Sequence, residues 1–432
     1  MNLEEKKNKA NQLRKDKKYE QAAELYSAII NESSKNTSQW DEWGLAYCYY
    51  KMKKYAESLE LCQKIHQEDA SFETVNSLLA WNLYYLYVKP AEPSQEKKFF
   101  NAINDILSLL EQEDEYSPYV LTIFKGIDYL NKQVPVSYEK IINFLLMLQP
   151  DLLEDKKTKY KDKRGVSIEI PSQKEKYYTN LIKALRHTNR PEKAIEECDK
   201  ALNTISEPSI KTKSWILRNK ALAYADQKKY QEALNILVTL GDDWSVLLDI
   251  AEIYESEFNH KQALNYAIKS ALIKTDPSLK VKCFLLIVKL LKALKHTELI
   301  PQHLNLIQLI YNRHKWKIND EMKLLMKEYD IKKTKHDTIE SAYESLIQTW
   351  TKYQYKTQER YSGIICRIFP LNHYGFINSN DKNYFFNQRE FKADKQYFKV
   401  GTRVCFNLAD AFDTKKKIAV KNAINITLEQ ND

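Results

Sequence analysis

Apolar positions in the first 330 residues recur every three or four residues, which is the pattern of amphipathic helices. Five segments share a further pattern, and their third residues lie 36, 136, 39 and 30 residues apart along the chain. Because 136 is four periods of 34, the spacing predicts stacked helical hairpins. The segments are KKYEQAAELY from Lys17, KKYAESLELC from Lys53, NRPEKAIEEC from Asn189, KKYQEALNIL from Lys228 and FNHKQALNYA from Phe258.

Small and aromatic residues alternate within these units in a fixed order. An alanine on each helix of a hairpin lets the two backbones approach, and a tyrosine fills the gap to the next turn. The chain here resembles the tetratricopeptide repeat family, and Trp43, Gly44 and Tyr47 follow its tryptophan, small, aromatic order. Between residues 70 and 150 we infer units from spacing and apolar periodicity alone. The positions that carry the resemblance are Ala221, Tyr224, Tyr230, Ala233, Ala251, Tyr254 and Ala263.

Such a resemblance implies a solenoid whose concave groove, lined by the first helix of each hairpin, holds a peptide or partner protein. The alternative is that the helices serve only as a scaffold for the C-terminal segment. We assign residues 1–153 and 177–336 to two helical repeat regions, separated by an insertion at 154–176.

The insertion, EDKKTKYKDKRGVSIEIPSQKEK, is strongly basic at its start. Like charges at this density repel one another and predict a mobile loop. It is either an ordinary solvated insertion or a secondary patch for nucleic-acid phosphates. The basic residues are Lys156, Lys157, Lys159, Lys161, Lys163 and Arg164.

Residues 337–360 read as one connecting helix, with Asp337 and Glu340 placed to cap its start. A stripe of apolar residues at spacings of three or four indicates packing against the repeats. The stripe consists of Ile339, Tyr343, Leu346, Trp350 and Tyr353.

From Tyr361 onward the apolar period changes from helical to alternating. Five short β-like runs, SGIICRIF, YGFINS, NYFFN, TRVCFNLA and KIAVKNAINI, are separated by polar or lysine-rich turns. With no helical pattern long enough to cover a sheet, residues 361–432 predict a small five-stranded barrel of the OB type. The fold class is therefore mainly α, a solenoid of helical hairpins followed by a β-barrel.

Alternation along the strands sorts the aromatic residues of the barrel. Tyr374 and Phe376 share one face of their strand, with Gly375 between them. On the next strand, Phe385 and Asn387 share a face opposite to that of Tyr384 and Phe386. A small barrel buries only one face of each strand, so one aromatic set is expected outside. Exposed aromatic rings on neighbouring strands form a platform on which unpaired bases stack.

This segment resembles the cold-shock domain over nearly all of residues 361–428. The family's first ribonucleoprotein motif falls on NHYGFI, Asn372 to Ile377, and its second on NYFFN, Asn383 to Asn387. VGTRVCF and AVKNA resemble its last two strands. An RNA-recognition motif would carry the two motifs in the reverse order, with helices between them.

The resemblance implies roles for individual residues. Tyr374, Phe376 and Phe385 hold three of the family's stacking positions, whereas Arg367 replaces its tryptophan, His373 a glycine and Asn387 a histidine. Arg367 is suited to stack its guanidinium plane or to pair with phosphate, His373 to stack or hydrogen-bond, and Asn387 or Gln388 to hydrogen-bond a base edge. Lys382, Arg389 and Lys392 would steer the strand.

The composition of the chain disfavours several classes of function. A chain with 7 glycines and 11 prolines has little glycine-rich sequence for phosphate loops, which disfavours P-loop and Rossmann enzymes. The net charge is +9, and residues 361–432 carry 11 basic and 7 acidic side chains, a local +4. We expect no enzyme activity, no cofactor, no metal site and no membrane span, with the chain in the cytoplasm. Six cysteines without a CxxC pair indicate buried thiols, and Cys366 and Cys405 are candidates to face each other inside the barrel.

The sequence supports two functional hypotheses. The first is an adaptor that binds a protein partner through the solenoid and single-stranded RNA or DNA through the barrel. The second is a pure protein-interaction scaffold with a degenerate barrel, in which the same rings pack against protein.

Overall fold

A computed structural model of the 432-residue chain describes residues 2–32, 38–113, 117–162, 164–329, 331, 338–357, 359–370, 373–413 and 418–429. The chain divides into two compact units, Met1–Ile236 and Leu237–Asp432. Within the described ranges, every helix is either too short or too polar to cross a lipid bilayer.

The first unit is built from consecutive helices that pack as hairpins. Its buried side chains form three apolar clusters between the helices, in which alanine, isoleucine and leucine are frequent. The helices are α1 Leu3–Lys15, α2 Tyr19–Glu32, α3 Gln39–Lys51, α4 Tyr55–Glu68, α5 Thr74–Leu83, α6 Glu96–Leu109, α7 Tyr119–Leu130, α8 Tyr138–Leu145, α9 Gln173–His187, α10 Pro191–Thr204, α11 Ile210–Asp226 and α12 Tyr230–Leu237.

The second unit continues with helices before its barrel. They are α13 Trp244–Ser256, α14 His260–Leu272, α15 Val281–Ala293, α16 Ile300–His314, α17 Asp320–Glu328 and α18 Ile339–Thr357. The stripe on α18 packs into the same core as α14 to α16, as expected from its spacing. Asp337 lies outside the described residues, and the hydroxyl of Thr338 accepts the Ser341 N–H at 3.2 Å near the helix start.

The same turn joins the two helices of six hairpins in the described part of the chain. The second residue after the first helix has a positive φ, and the N–H that follows it bonds to a carbonyl five residues back, which is a Schellman stop. The second helix begins two residues later in five of them, whereas α16 begins at Ile300, after a 3-10 turn at Thr297–Leu299. Five of these residues are the first residues of the five repeated segments, so the sequence repeat marks the turn. The six stops are at Lys17, Lys53, Asn189, Lys228, Phe258 and Lys295.

The prediction of helical hairpins is confirmed, but the prediction of four repeat periods between the second and third segments is wrong. Three hairpins, α5/α6, α7/α8 and α9/α10, lie between α4 and α11, not four periods of 34. The units there are longer because extra residues connect α5 to α6 and because an insertion precedes α9.

The insertion contains a β-hairpin where we predicted a loop. Strand β1 Thr158–Lys161 pairs antiparallel with β2 Ser167–Ile170. The Asp162 side chain accepts the backbone N–H groups of Arg164 and Val166, both at 2.9 Å, and so fixes the turn against the repulsion of neighbouring lysines. Lys163 lies outside the described residues.

The C-terminal segment forms the expected barrel, five antiparallel strands that nearly close on themselves. The strand order is β5-β4-β3-β6-β7, and Phe391, after β5, bridges to Ile426 of β7. Residues such as Ile365, Ile377, Phe386 and Phe406 fill the interior. The strands are β3 Tyr361–Phe369, β4 Tyr374–Ser379, β5 Lys382–Asn387, β6 Arg403–Asp413 and β7 Ile418–Leu428.

Candidate nucleic-acid interface

An aromatic cluster covers the outer face of strands β3, β4 and β5. Cross-strand partners share a face, and the register pairs Phe376 with Phe385, Tyr374 with Asn387 and Phe369 with Tyr374. These side chains are half-buried, whereas Ile377 and Phe386 on the opposite face are fully buried. The alternation along β4 and β5 therefore predicted correctly which side chains lie on the outer face.

The rings contact one another closely enough to form one surface. The centroid of Tyr374 lies 4.7 Å from that of Phe369, in a stacked geometry, and 5.3 Å from that of Phe385. Phe376 completes the cluster at 5.8 Å from Phe385. Such mutual packing holds each ring in one orientation and leaves its outer edge or face accessible, which is the preorganisation that a stacking platform requires.

A β-bulge places Arg367 on this face. Ile365 is buried and pairs with Ile377, but the next paired residue on β3 is Arg367, which faces Phe376. Cys366 is the extra residue at the bulge, so the alternation shifts by one and both Arg367 and Phe369 point outward. Strict alternation would have placed them beside Ile365 in the interior. We missed Phe369 because a bulge has no reliable sequence signal here.

Gly375 separates the two rings of β4 for a steric reason. A Cβ atom at this position would lie 2.7 Å from the Phe386 ring and 2.7 Å from the carbonyl oxygen of Arg367. The glycine thus lets Phe386 fill the interior directly beneath the platform. One packing arrangement therefore explains both the glycine between Tyr374 and Phe376 and the aromatic runs of β4 and β5.

Polar residues border the rings. On the outer face of β3 to β5, Asn378 donates to Asn383 at 3.0 Å, and Arg367 is exposed. Among the residues that the register places on this face in β3 to β5, none carries a carboxylate. The face is therefore aromatic and amide-rich with one cation, a composition suited to bases and a phosphate.

A second group of predicted residues lines a neighbouring groove of about 550 Å³. His373, with φ 55°, forms a hydrogen bond of 3.0 Å through Nδ1 with Oε1 of Gln388. Asn387 joins the groove to the platform because it pairs with Tyr374 and also lines the groove. Arg389 lines it as well, with its side chain beside Glu390 at 3.6 Å.

Two predicted basic residues occupy other positions. Lys392 is exposed and donates its ammonium to the carbonyl oxygen of Arg389 at 2.9 Å, which leaves it at the rim of the groove. Lys382 pairs with Ser379 at the end of the β4–β5 hairpin. Along β5 it lies on the same side of the sheet as Phe386, which fills the barrel interior. By register, Lys382 does not share the face of Tyr374, Phe376 and Phe385.

The proposed secondary phosphate patch is partly neutralised. Lys157 lies 3.8 Å from both Glu169 and Glu175, and Lys159 lies 3.8 Å from Glu169. Arg164 pairs with Asp162 at 3.1 Å, and hydrogen bonds from the backbone of Val166 and Arg164 hold the pKa of Asp162 below its usual value. Lys156 and Lys161 are exposed. These residues form a mixed-charge surface.

The cysteines of the barrel do not face each other inside it. Cys366 is exposed at the bulge and its Sγ donates to the carbonyl oxygen of Phe376 at 3.3 Å, while Cys405 is half-buried beside Ser362. The expectation of an interior pair was wrong because Cys366 follows the buried Ile365 and Cys405 lies between the buried Val404 and Phe406, so both cysteines alternate to the outer side. In the described ranges, no three histidine, cysteine or acidic side chains group closely enough to hold a metal ion.

No protein-family model and no curated protein matches this sequence. Solved structures do match. A tetratricopeptide repeat protein from Parabacteroides merdae is 14% identical, with a TM-score of 0.31, over 76% of this chain and 98% of its own. A structure of Naa15/Naa10 bound to HypK-THB is 14% identical, with a TM-score of 0.43, over 81% of this chain and 47% of its own.

A third match is the C-terminal part of a TPR repeat-containing protein from Cytophaga hutchinsonii. It is 18% identical, with a TM-score of 0.32, over 66% of this chain and 94% of its own. At such identities and scores these matches do not indicate what the chain binds.

Proposed function

We propose that the chain is a non-catalytic adaptor whose barrel, cold-shock-like in its motifs, binds single-stranded RNA or DNA on the outer face of β3 to β5. The supporting observation is the cluster of Phe369, Tyr374, Phe376 and Phe385 around the exposed Arg367. Base stacking on aromatic side chains contributes about 1 to 3 kcal/mol per base, so two or three bases on this face give useful affinity.

Arg367 supplies the charge in this proposal. Its guanidinium either stacks on a base or pairs with a phosphate next to the rings. Arg389 and Lys392 extend the path toward the groove that contains His373 and Gln388. With few phosphate contacts, we expect moderate affinity with little sequence preference and a clear loss of binding at high salt.

The helical hairpins have the second role in the adaptor, which is to bind a protein partner. Stacked hairpins form an extended surface, and the first helices α13 and α15 with α16 and α17 line a hollow of about 860 Å³. Leu285, Leu286, Met322 and Leu325 lie in it beside charged residues. An apolar floor with a charged rim is suited to a peptide or helix of another protein.

The barrel proposal is tested by titrating the full chain with fluorescein-labelled oligo-U and oligo-dT at low and moderate salt. Tyr374→Ala with Phe385→Ala is expected to weaken binding more than tenfold, because two stacking rings are lost. Tyr397→Ala is the matched control: Tyr397 is an aromatic residue of the same barrel, 41% exposed, and no ring contact places it in the cluster.

The alternative is a scaffold whose rings pack against protein and bind no nucleic acid. It is favoured by the mutual packing of the rings and by Arg367 standing where the cold-shock family has tryptophan. If the folded wild-type chain shows no salt-dependent binding to either oligonucleotide, or if the double variant binds as tightly as wild type, the nucleic-acid proposal is wrong.

A further inference from the structure

The β1–β2 hairpin of the insertion is amphipathic, and both of its faces are accessible. Its register places Tyr160 opposite Ile168 and Thr158 opposite Ile170 on one face. Tyr160 is 48% exposed and Ile170 37% exposed, although such residues usually cover a core. The other face carries Lys159 opposite Glu169 and Lys161 opposite Ser167.

The polar face borders the helices of its own unit, which leaves the apolar face on the opposite side. Lys157 and Glu169 line a hollow together with Glu175 and Thr179 of α9. Lys157, just before β1, reaches Glu175 at 3.8 Å and so ties the hairpin to α9. The orientation of the hairpin is therefore fixed at its base, while Tyr160 and Ile170 remain exposed and Ile168 is half-buried.

The sheet is also incomplete. It has two strands, and within the described part of the chain no third strand pairs with either of them. Two-stranded hairpins are only marginally stable in water, whereas a third strand with an apolar face makes a sheet stable. Unpaired strand edges are the sites at which extended peptides add to a sheet.

Charge distinguishes the two open edges. A strand beside β1 would lie next to Lys159 and Lys161, whereas a strand beside β2 would lie next to Glu169 and Ser167. Opposite charges on adjacent strands stabilise pairing, and like charges oppose it. The β1 edge therefore favours a strand with acidic side chains on the lysine face and apolar side chains on the Tyr160 face.

We propose that the β1 edge binds an extended segment of a partner protein in which acidic and apolar residues alternate, as the third strand of this sheet. Its acidic side chains pair with Lys159 and Lys161, and its apolar side chains cover Tyr160. This interaction is independent of the aromatic face of the barrel and lies in the other compact unit.

The test uses the full chain and a fluorescein-labelled nine-residue peptide of alternating aspartate and valine, followed by fluorescence anisotropy. Wild type is expected to bind it, and Lys159→Gln with Lys161→Gln to weaken binding about tenfold. Lys159→Glu with Lys161→Glu is expected to reject this peptide and to bind one of alternating lysine and valine instead. Hydrogen exchange in residues 158–161 slows when the wild-type chain is saturated with peptide, because strand addition protects the edge amides.

A matched control is Lys97→Gln with Lys98→Gln, which removes two exposed lysines from α6 in the same unit. This variant keeps wild-type affinity for the aspartate–valine peptide. The proposal is overturned if the wild-type chain does not bind the peptide, if the glutamate variant shows no reversed preference, or if bound peptide leaves exchange in β1 unchanged. It is also overturned if Lys159 and Lys161 are required for oligo-U binding and not for peptide binding.

Discussion

His303 is a buried histidine whose two ring nitrogens both have partners. Its Nε2 lies 2.8 Å from the indole N–H of Trp350, and its Nδ1 lies 2.8 Å from the carbonyl oxygen of Leu299. Because an indole nitrogen can only donate, Nε2 must accept, and the proton is on Nδ1. The ring is therefore neutral, and burial lowers its pKa to about 4. Its hydrogen bond with Trp350 joins α16 to α18, so the role of His303 is structural.

The stability of the second unit is expected to fall in mild acid because of this residue. The folded pKa of about 4 lies below the ordinary value of 6.5, so the unfolded chain binds more protons between them. The stability is complete above pH 6.5 and is lost as the pH falls toward 4. At pH 4.5 the loss is about 2 to 3 kcal/mol. Hydrogen-exchange protection of α16 and α18 at pH 7 and 4.5, corrected for intrinsic rates, measures it.

The variant His303→Gln separates this effect from other titrating groups. A glutamine has no proton to gain in this range, so the difference in protection between the two pH values should shrink. His296→Gln, at a half-buried histidine of the same unit, is the control and should keep the full difference. An equal pH effect in wild type and in His303→Gln would show that other groups are responsible.

Phe258 has φ 59° at a Schellman stop and is 82% exposed. A side chain in the left-handed region costs roughly 1 to 2 kcal/mol, whereas glycine pays about 0.5 to 1 kcal/mol of backbone entropy. Phe258→Gly is therefore expected to stabilise the chain by about 0.5 to 1 kcal/mol, measured by urea denaturation. Phe258→Ala, which keeps a Cβ atom, should not gain this amount. If alanine stabilises as much as glycine, loss of the exposed ring and not relief of the turn is the cause.

At the scale of helices and strands, the regular pattern was predictable and its interruptions were not. Repeated segments located the second helix of five hairpins because each segment begins at the positive-φ residue of the turn. Alternation located all five strands of the barrel. The bulge at Cys366 and the hairpin in the basic insertion were missed, since each depends on a local register or a side-chain cap. Hence the positions of Tyr374 and Phe385 were predictable, and that of Phe369 was not.

Close packing of two helices at Gly44 gives an element-scale prediction. A Cβ atom there would lie 2.6 to 2.9 Å from side-chain atoms of Tyr26, a residue that is 1% exposed and whose hydroxyl donates to Asn11 at 2.9 Å. Gly44→Ala improves helix propensity by about 1 kcal/mol, but overpacking costs about 1 to 3 kcal/mol. We expect a net loss of about 1 kcal/mol in the free energy of unfolding, measured by urea denaturation.

A double-mutant cycle with Tyr26→Leu tests the steric reason for the Gly44 effect. Leucine is smaller than tyrosine and makes room for the new methyl group. In the Tyr26→Leu background, Gly44→Ala should therefore be neutral or stabilising, with a coupling energy of about 1 kcal/mol or more. Simple additivity of the two substitutions would show that the ring does not restrict this position.

At the scale of the whole molecule, the surfaces that we propose for recognition lie in different compact units. The first has the open β1 edge with its lysines, and the second has the aromatic face with Arg367 and the hollow between α13 and α17. The lysines Lys157 and Lys159 lie beside carboxylates, whereas no carboxylate lies on the outer face of β3 to β5 among its described residues. We therefore expect nucleic-acid binding at the barrel and not at the β1 edge, although both units contain basic side chains.

Salt dependence can assign phosphate contacts to one unit or the other. For single strands, each phosphate contact contributes about 0.7 to the slope of the logarithm of affinity against the logarithm of salt concentration. Arg367→Ala in the full chain should reduce the oligo-U slope by about 0.7 if the guanidinium meets a phosphate, and leave it unchanged while weakening binding if the guanidinium stacks on a base. Lys159→Gln with Lys161→Gln should change neither slope nor affinity, because that surface also contains Glu169 and, in our proposal, binds an acidic peptide strand. A lower slope in the lysine variant would instead mean that one nucleic-acid strand contacts both units, and the separation of functions would be wrong.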